Sequence, residues 1–519
     1  MSDVHGENPP EATTVAAIDV GSNSLRMVIA EVLPDGRIEI LERVQRAVRL
    51  GQDTFRRGRL GRASMRAAVA VLRDFRQMLR LYHVDRVRAV ATSAVREAGN
   101  ADTFLDRVFL ATGLNVEMIA TSEESRLTVS AVREAISSIP GVSRKDGLVA
   151  DVGGGSTLLT VLHAGGVSTT QSLRLGSIRL QEVLLTSEET PQRSAALLKN
   201  YISNSLDTVG GSLPLEKIDT LIAVGGDARF AAREIGQPTE SEELVAVDVD
   251  EFEKLVRRCQ RRSVEALSKQ HGLSFAEAET LTPALLVYQA LLKRAKASKM
   301  LVCHVSMRDG LLLELAREVT GQEDTSLLEG VIHSATGIAK KYGADMSHAE
   351  NVAELSVRLF DQLQTEHGLG PRYRLLLQVA GLLHEVGSFV SARAHHKHSY
   401  YLISNSEIFG LNRDEIEIVA HIARYHRRSL PKSSHIQYVS RPREARVVIN
   451  KLAAMLRVAD ALSRGRLKKA SDLHIKREAD ELIIYFPGIS DFLSEQRSIA
   501  NKGNLFEEIY GMKVRLEEG

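Results

Sequence analysis

Two segments of the chain set an aspartate at the end of an apolar run and follow it at once with glycine and hydroxyl residues. They are Asp19-Val20-Gly21-Ser22-Asn23-Ser24 and Asp151-Val152-Gly153-Gly154-Gly155-Ser156-Thr157. Glycine lacks Cβ, so backbone N–H groups approach an anion closely and φ can turn positive. Serine and threonine hydroxyls add donors without bulk. A carboxylate at the strand end can hold a divalent cation beside phosphate oxygens; Mg²⁺ keeps several waters and takes one or two carboxylates plus substrate oxygens. A lone glycine run is more often a tight turn than a site. Two such loops at corresponding places in similar segments point instead to a cleft that grips phosphate. After the second loop, Leu158 offers no further carboxylate.

The loops sit in a repeated frame. "DGLVADVGGGSTLLTVLHAGG" follows the logic of "TVAAIDVGSNSLRMVIAEVLPDG": a strand ends in Asp-Val-Gly, a short polar turn follows, and a second apolar strand leaves. "DTLIAVGGDARFAA" is a third strand, Gly-Gly, helix unit. "RIEILERVQRAVRL", "VRAVAT" and "NVEMI" read as strands, and "RASMRAAVAVLRDFRQMLRLY" has apolar groups at helical spacing. "ADTFLDRVFLATG" reads as a helix ending at Gly113, and "SEESRLTVSAVREAISSI" as one with Ser122 as cap and acids in its first turn. Two similar halves predict a duplicated α/β domain with a cleft between them. "GQEDTSLLEG" then reads as a linker, residues 329 to 470 are mostly helical signals, "DLHIKREADELIIYFPG" is a strand pair, and "FEEIYGMKVRLE" is helix then strand. The expected domains are residues 1–132 and 133–320 for the two α/β subdomains, 321–470 for a helical domain and 471–519 for a small α/β tail.

Bulk properties narrow the function classes. At ~150 residues per domain, 519 residues predict about three domains. A net charge of +1 gives no global field to favour nucleic acid or a membrane surface. The absence of tryptophan, with 5% aromatic residues, argues against base-stacking platforms. Two cysteines, Cys259 and Cys303, make no disulfide framework and no cysteine-built zinc site, which suits the cytoplasm. "MSDVHGENPPEATT" has no apolar core of a signal peptide, and no stretch approaches the ~20 apolar residues of a membrane helix.

Taken together, the loops resemble those of the exopolyphosphatase/guanosine pentaphosphate phosphatase family, in the actin, sugar-kinase and Hsp70 superfamily with its ribonuclease H-like halves. "AAIDVGSNSLRMVIAEV" is similar to that family's first phosphate loop and "VADVGGGSTLLTV" to its second. "AVATSAVREAGN", "SEESRL" and "SLRLGSIRL" resemble further family segments. The resemblance implies Mg²⁺-dependent hydrolysis of terminal phosphate from inorganic polyphosphate, with guanosine pentaphosphate as the alternative substrate and a sensor that binds without turnover as a third reading. It implies Glu124 as the general base, with adjacent Glu123 the competing acid. It implies Asp19 and Asp151 as metal ligands, Asp151 thereby sharing in catalysis, and Ser22, Asn23, Ser24, Arg96, Gly153, Gly154, Gly155 and Ser156 as holders of phosphate oxygens. Leu158 stands where the family usually has glutamate, which puts hydrolytic rate in doubt. Asp227 stands where the family tends to have threonine, which reads against a dedicated pentaphosphate nucleotidase because it adds repulsion near phosphates.

The second half carries many histidines. His348, His384-Glu385, His395, His396, His398, His421, His426 and Asp460 follow an order that resembles the HD superfamily of metal phosphohydrolases. Here the doublet is His-Glu. The resemblance implies a second divalent-metal site on His348, His384, Glu385 and Asp460, or a helical domain kept only as scaffold. The basic stretch "RYHRRSLPKSSH", with Arg393 and Lys397 upstream, either lines a channel for a long polyanion or is a solvated loop. The helical domain is expected to support a homodimer.

Overall fold

The computed structural model describes residues 12–518 apart from 138, 140–141, 143–145, 164, 185–189, 210–212, 214, 216–217, 296, 323–324, 428, 464–473, 479 and 487–492. The amino-terminal polar segment read for a signal peptide therefore lies outside the described residues, apart from its last three positions. Two compact units divide the chain, Met1–Leu327 and Leu328–Gly519. No helix among the described residues is long and apolar enough to cross a membrane.

The first unit is built on two mixed sheets. One has the order β3-β2-β1-β4-β5, from β1 (Thr13–Val20), β2 (Ser24–Val32), β3 (Ile38–Ala47), β4 (Arg86–Ala91) and β5 (Val116–Met118). The other has the order β10-β11-β12-β9-β6-β7-β8, from β6 (Gly147–Val152), β7 (Thr157–His163), β8 (Gly166–Leu173), β9 (Thr220–Val224), β10 (Gln237–Pro238), β11 (Leu244–Val247) and β12 (Lys299–Cys303). The run β3-β2-β1-β4-β5 has its counterpart in β8-β7-β6-β9-β12, with antiparallel hairpins β1–β2 and β6–β7 and parallel neighbours β4 and β9. The duplicated actin-like α/β fold expected from the two loops is thus present in the strand order.

Three local readings change. The strand read over residues 37–50 stops at Ala47, and its last residue, Leu50, instead opens a short helix, Leu50–Arg57, closed by Gly58 in the left-handed region. Its Gly51 lies so close to the first loop that a Cβ there would sit 2.9 Å from Cβ of Ser22. Ser122 is not a cap, because the helix Thr121–Ser137 begins one residue before it. The expected linker shrinks to the stretch between the helix Met307–Thr320, ended by left-handed Gly321, and the helix that starts at Thr325.

The helix Met307–Thr320 also belongs with the first sheet rather than with the second half that precedes it. Its Leu311, Leu312 and Leu315 are buried with Val15, Ala17 and Val28 of β1 and β2. Burial of each such leucine contributes about 1.5–3 kcal/mol. The approach is close: a Cβ on Gly310 would stand 2.1 Å from the carbonyl oxygen of Leu127, on the helix Thr121–Ser137. This packing fixes the two helices that carry Arg308 and Glu124.

The second unit is mostly helical. Helices Met346–Gln362, Pro371–Leu383, His395–Ser404, Arg413–Arg424 and Arg443–Ser463 share one core, and β13 (His474–Glu478), β14 (Glu481–Phe486) and β15 (Lys513–Glu518) form a small sheet. The tail is tied into the helical core rather than standing apart. The fully buried guanidinium of Arg457 donates to the carbonyls of Lys502 and Tyr425 and to Oδ1 of Asn504.

Candidate functional site

In the first unit the two glycine loops meet. A Cβ on Gly154 would lie 3.0 Å from Cβ of Ser22, and one on Gly155 would lie 2.3 Å from Oγ of Ser93. Only glycine allows that approach, since the spacing leaves no room for a methyl group. Ser22 Oγ and Ser93 Oγ share a buried hydrogen bond of 3.0 Å, which ties the first loop to the short helix Ser93–Arg96. Each loop closes on itself, Gly21 N–H donating to the Ser24 carbonyl and Gly153 N–H to the Ser156 carbonyl.

Beside the loops lies a cavity of about 630 Å³. Asp19, Asp151 and Glu124 all line it, as do Ser22, Asn23, Ser24, Gly153, Gly154 and Ser156. Asp19 ends β1 and Asp151 ends β6, so the equivalent strands of the two halves deliver one carboxylate each. Arg96 and Gly155 are not lining residues. Arg96 instead donates to Oε2 of Glu124 at 3.3 and 3.4 Å and to the Ile119 carbonyl at 2.8 Å, and Gly155 packs against Ser93 and Phe55. Their placement makes Arg96 a brace for Glu124 and Gly155 a spacer between loops.

Between the neighbouring acids the geometry chooses. Glu123 is spent in a network: Arg126 grips it through two bonds of 2.8 and 2.6 Å, Arg88 adds a third contact, and Glu314 bonds both arginines. Glu124 faces the cavity with 16% of its side chain exposed. Burial pushes its carboxyl up to about 7, against the downward pull of Arg96 and with added repulsion from Asp151 and Asp19. Burial also raises Asp151 to about 6, with Arg229 the main opposing charge and Thr128 Oγ1 donating to its Oδ2 at 3.3 Å. A carboxylate poised near neutrality suits a proton acceptor.

Sequence reasoning missed the cationic wall. Arg26 from β2, Arg229 from the helix Gly226–Ile235 and Arg308 from the helix Met307–Thr320 all line the cavity. Arg308 reaches Oδ2 of Asp19 at 3.4 Å. Burial, then Arg26, holds Arg308 down to about 10, and the same two causes lead in lowering Arg229. Asp227 lines the cavity too; burial raises it to about 7 against the pull of Arg26 and Arg229. The one available signal was an arginine one turn into a helix behind the Gly-Gly of "VGGDAR". Leu158 pairs directly across from Asp151 on the β6–β7 ladder and is buried, so it presents an apolar face beside that carboxylate.

In the second unit the structure brings together His348, His384, Glu385 and Asp460, whose ligand atoms lie within 4.8 Å of one another. Glu385 also joins His395 and His426 in the same way. Burial lowers the pKa of His384 and His426, which keeps both rings neutral. Lys502 bonds Oδ2 of Asp460. His421 is separate, buried among Tyr400, Tyr425 and Tyr438. The basic stretch read as a channel includes Arg428, which lies outside the described residues.

Comparison with known proteins fits this geometry. The sequence pattern of the Ppx/GppA phosphatase family matches residues 28–319, and that of domain III of Ppx/GppA phosphatases matches residues 332–501. A guanosine-5'-triphosphate,3'-diphosphate pyrophosphatase of Photobacterium profundum is 24% identical over 458 residues, covering 87% of this chain and 88% of the relative. One from Vibrio atlanticus is 26% identical over 452 residues, with 85% and 86% covered. The crystal structure of an exopolyphosphatase from Cytophaga hutchinsonii shares the fold at 22% identity and a TM-score of 0.54, over 60% of this chain and 99% of that one. With matches to both domains across most of its length, the chain belongs to the Ppx/GppA phosphatase family, whose members hydrolyse phosphoanhydride bonds.

Proposed function

We propose that the cleft of the first unit removes the terminal phosphate of inorganic polyphosphate, with Glu124 as general base. The observation that carries this reading is the shared cavity: Glu124, two strand-end aspartates and four arginines, Arg26, Arg229, Arg233 and Arg308, surround one space beside paired glycine loops. Phosphoryl transfer needs positioning and charge neutralisation more than covalent chemistry from the protein. Backbone and hydroxyl donors from Ser22, Asn23, Ser24, Gly153, Gly154 and Ser156 hold the terminal phosphate, and Arg26, Arg229 and Arg308 neutralise oxygens along the chain. Water attacks the terminal phosphorus, its proton passes to Glu124, and the bridging P–O bond breaks to release phosphate and a chain one unit shorter. Arg96 keeps Glu124 aimed.

The donor set also fits a divalent cation. Oδ1 of Asp19 is buried and has no hydrogen-bond partner among the described residues. That leaves lone pairs for a cation, which Asp19 and Asp151 would hold. Mg²⁺ there would neutralise charge on phosphate oxygens.

A second reading, guanosine pentaphosphate as substrate, draws on Phe230, Leu273 and Leu281, which add an apolar wall to the cavity. A bare phosphate chain has no use for such a wall, whereas a nucleoside does. The names of the Photobacterium and Vibrio relatives support the same reading. Phosphate release from long-chain polyphosphate, guanosine pentaphosphate and ATP, with and without Mg²⁺, separates the two. Release fastest from polyphosphate supports the first reading, and release confined to guanosine pentaphosphate replaces it with the second. Binding without release from any of them would leave a sensor. The homodimer is tested by light scattering of the purified protein.

A further inference from the structure

We propose that Arg179, which does not line the cavity, is a positioning residue for the reaction: it locks one peptide of the second glycine loop so that the N–H of Ser156 faces the terminal phosphate. The proposal rests on the phosphate reading of the cleft and deepens it. Arg179 lies on the short helix Ser177–Leu184, and its Nε donates to the carbonyl of Gly155 at 2.8 Å. A trans peptide is planar, so its C=O and N–H point in opposite directions. Holding the Gly155 carbonyl against Arg179 turns the N–H of the next residue, Ser156, the other way, and Ser156 lines the cavity.

The other carbonyls of the loop are drawn back in the same manner. Ser177 N–H donates to the Gly153 carbonyl at 2.9 Å, and the N–H groups of Ile178 and Arg179 donate to the Gly154 carbonyl at 3.0 and 3.2 Å. Among the described residues, neither the Gly154 N–H nor the Ser156 N–H donates to a protein group, and both residues line the cavity. The loop therefore presents donors to the cavity while its acceptors are spent behind it, which is what an anion requires. So close an approach depends on Gly176. A Cβ there would stand 2.2 Å from the carbonyl carbon of Gly155 and 2.4 Å from the carbonyl oxygen of Gly154.

The Gly155 carbonyl is the one of the three held by a side chain, so its direction hangs on Arg179. Glycine tolerates either orientation of the peptide that follows it, so the loop does not choose by itself. The guanidinium is in turn fixed by the opposite half of the unit. Its Nη2 donates to Oε1 of Glu97 at 2.6 Å, and its Cζ sits 4.1 Å from the ring centre of Phe55. Phe55 belongs to the helix Leu50–Arg57, and Glu97 follows the helix Ser93–Arg96. The other Glu97 oxygen accepts from Arg174 at 3.0 Å. With its charge paired to Glu97, Arg179 acts on the reaction through the peptide it holds. The planar fork suits the task, since one group bonds a carbonyl, a carboxylate and an aromatic face together.

The test joins kinetics to a direct view of the amide, both on the full chain. Arg179→Met should lower kcat by up to about 10²-fold, the usual cost of one preorganised donor, while KM moves only a few-fold. For the amide, Glu124→Gln serves as the parent so that tripolyphosphate, added with Mg²⁺, is not consumed. The protein is labelled with ¹⁵N-serine, and Ser156→Ala assigns the signal. Tripolyphosphate should move the Ser156 amide downfield in the parent and leave it in place when Arg179→Met is added. A parent that binds tripolyphosphate without moving this amide, or an Arg179→Met protein with the parent's shift and kcat, overturns the proposal. A parent that does not bind tripolyphosphate at all overturns the phosphate reading, and the proposal with it. Where Arg179→Met fails to fold, Arg179→Lys decides: an ammonium lacks the fork, so shift and kcat should fall part of the way, and parent values for both overturn the proposal.

Discussion

In the first unit, Asp19, Asp151 and Glu124 share a cavity with Arg26, Arg229 and Arg308; in the second, Asp460 and Glu385 cluster with imidazoles and one lysine. The carboxylates are the same chemistry in both places, and their partners decide what each site can hold. Guanidinium stays charged at any working pH, so positive charge is a permanent feature of the first cavity. Burial keeps His384 and His426 neutral, so the second offers lone pairs to a cation. A chain rich in histidine and acid thus needs the third residue type, arginine or its absence, before either cluster can be read.

The largest effect expected from breaking this contrast comes from Glu124→Gln. Loss of a positioned base typically costs 10²–10⁴-fold. Phosphate release should fall by about that factor while KM changes little. A variant that releases phosphate at the parent rate would move the base elsewhere, with Asp227 the next carboxylate on the cavity wall.

Next come the arginines. A charge-assisted hydrogen bond contributes about 1.5–3 kcal/mol, so Arg308→Met or Arg229→Met should lower kcat/KM by roughly 10–100-fold, mostly through KM. Steady-state kinetics on polyphosphate of defined length checks this. An unchanged KM in both variants would remove the cationic wall from substrate binding.

Acidity gives a third, smaller handle. The base must be ionised to accept a proton, and Glu124 sits at about 7. Phosphate release should therefore rise with pH up to about 7 and level off above it, a limb that Glu124→Gln should lack. Stability of the metal-free protein should run the other way. The unfolded glutamate ionises near 4.5 and the folded one near 7, so the folded state holds the extra proton between those values. Stability then falls as pH rises through that window and the cost is complete above it. Thermal melts from pH 4 to pH 8, with and without Mg²⁺, should show the slope and its flattening by the cation.

What could be read in advance was what lies contiguous in the chain. Asp-Val-Gly and its hydroxyl turn are local, and so are the hairpins around them; both loops line one cavity in the structure. The arginines were not legible, because Arg26, Arg229 and Arg308 come from three separate elements and converge only through packing. The return of Met307–Thr320 to the first sheet was hidden for the same reason: its apolar face states that it must be covered, not by what. Arg96 was legible as a residue but not in its role, since a guanidinium bracing Glu124 and one holding phosphate look alike in sequence. Leu50–Arg57 was missed because it is only eight residues long and buries Leu50, Gly51 and Thr54, too few apolar positions to show a helical period in sequence.

The smallest effect is also the one that best sharpens the contrast between the two clusters. Leu158 lies across from Asp151 with both side chains on the same face of the hairpin, and it is buried. Leu158→Glu would bring a further carboxylate beside Asp151, where burial already raises Asp151 to about 6 and, across the cavity, Glu124 to about 7. Without a cation the new charge has no partner, so the variant's melting temperature should drop by a few degrees, as a loss of about 1 kcal/mol would produce. With Mg²⁺ the added oxygen can help hold the ion or orient water, and phosphate release should rise a few-fold over the parent. If release is unchanged while Mg²⁺ restores the melting temperature, the position touches the metal and not the reacting water. If neither moves, the leucine is passive packing beside Asp151, and the slow step lies with the groups that already face the cavity.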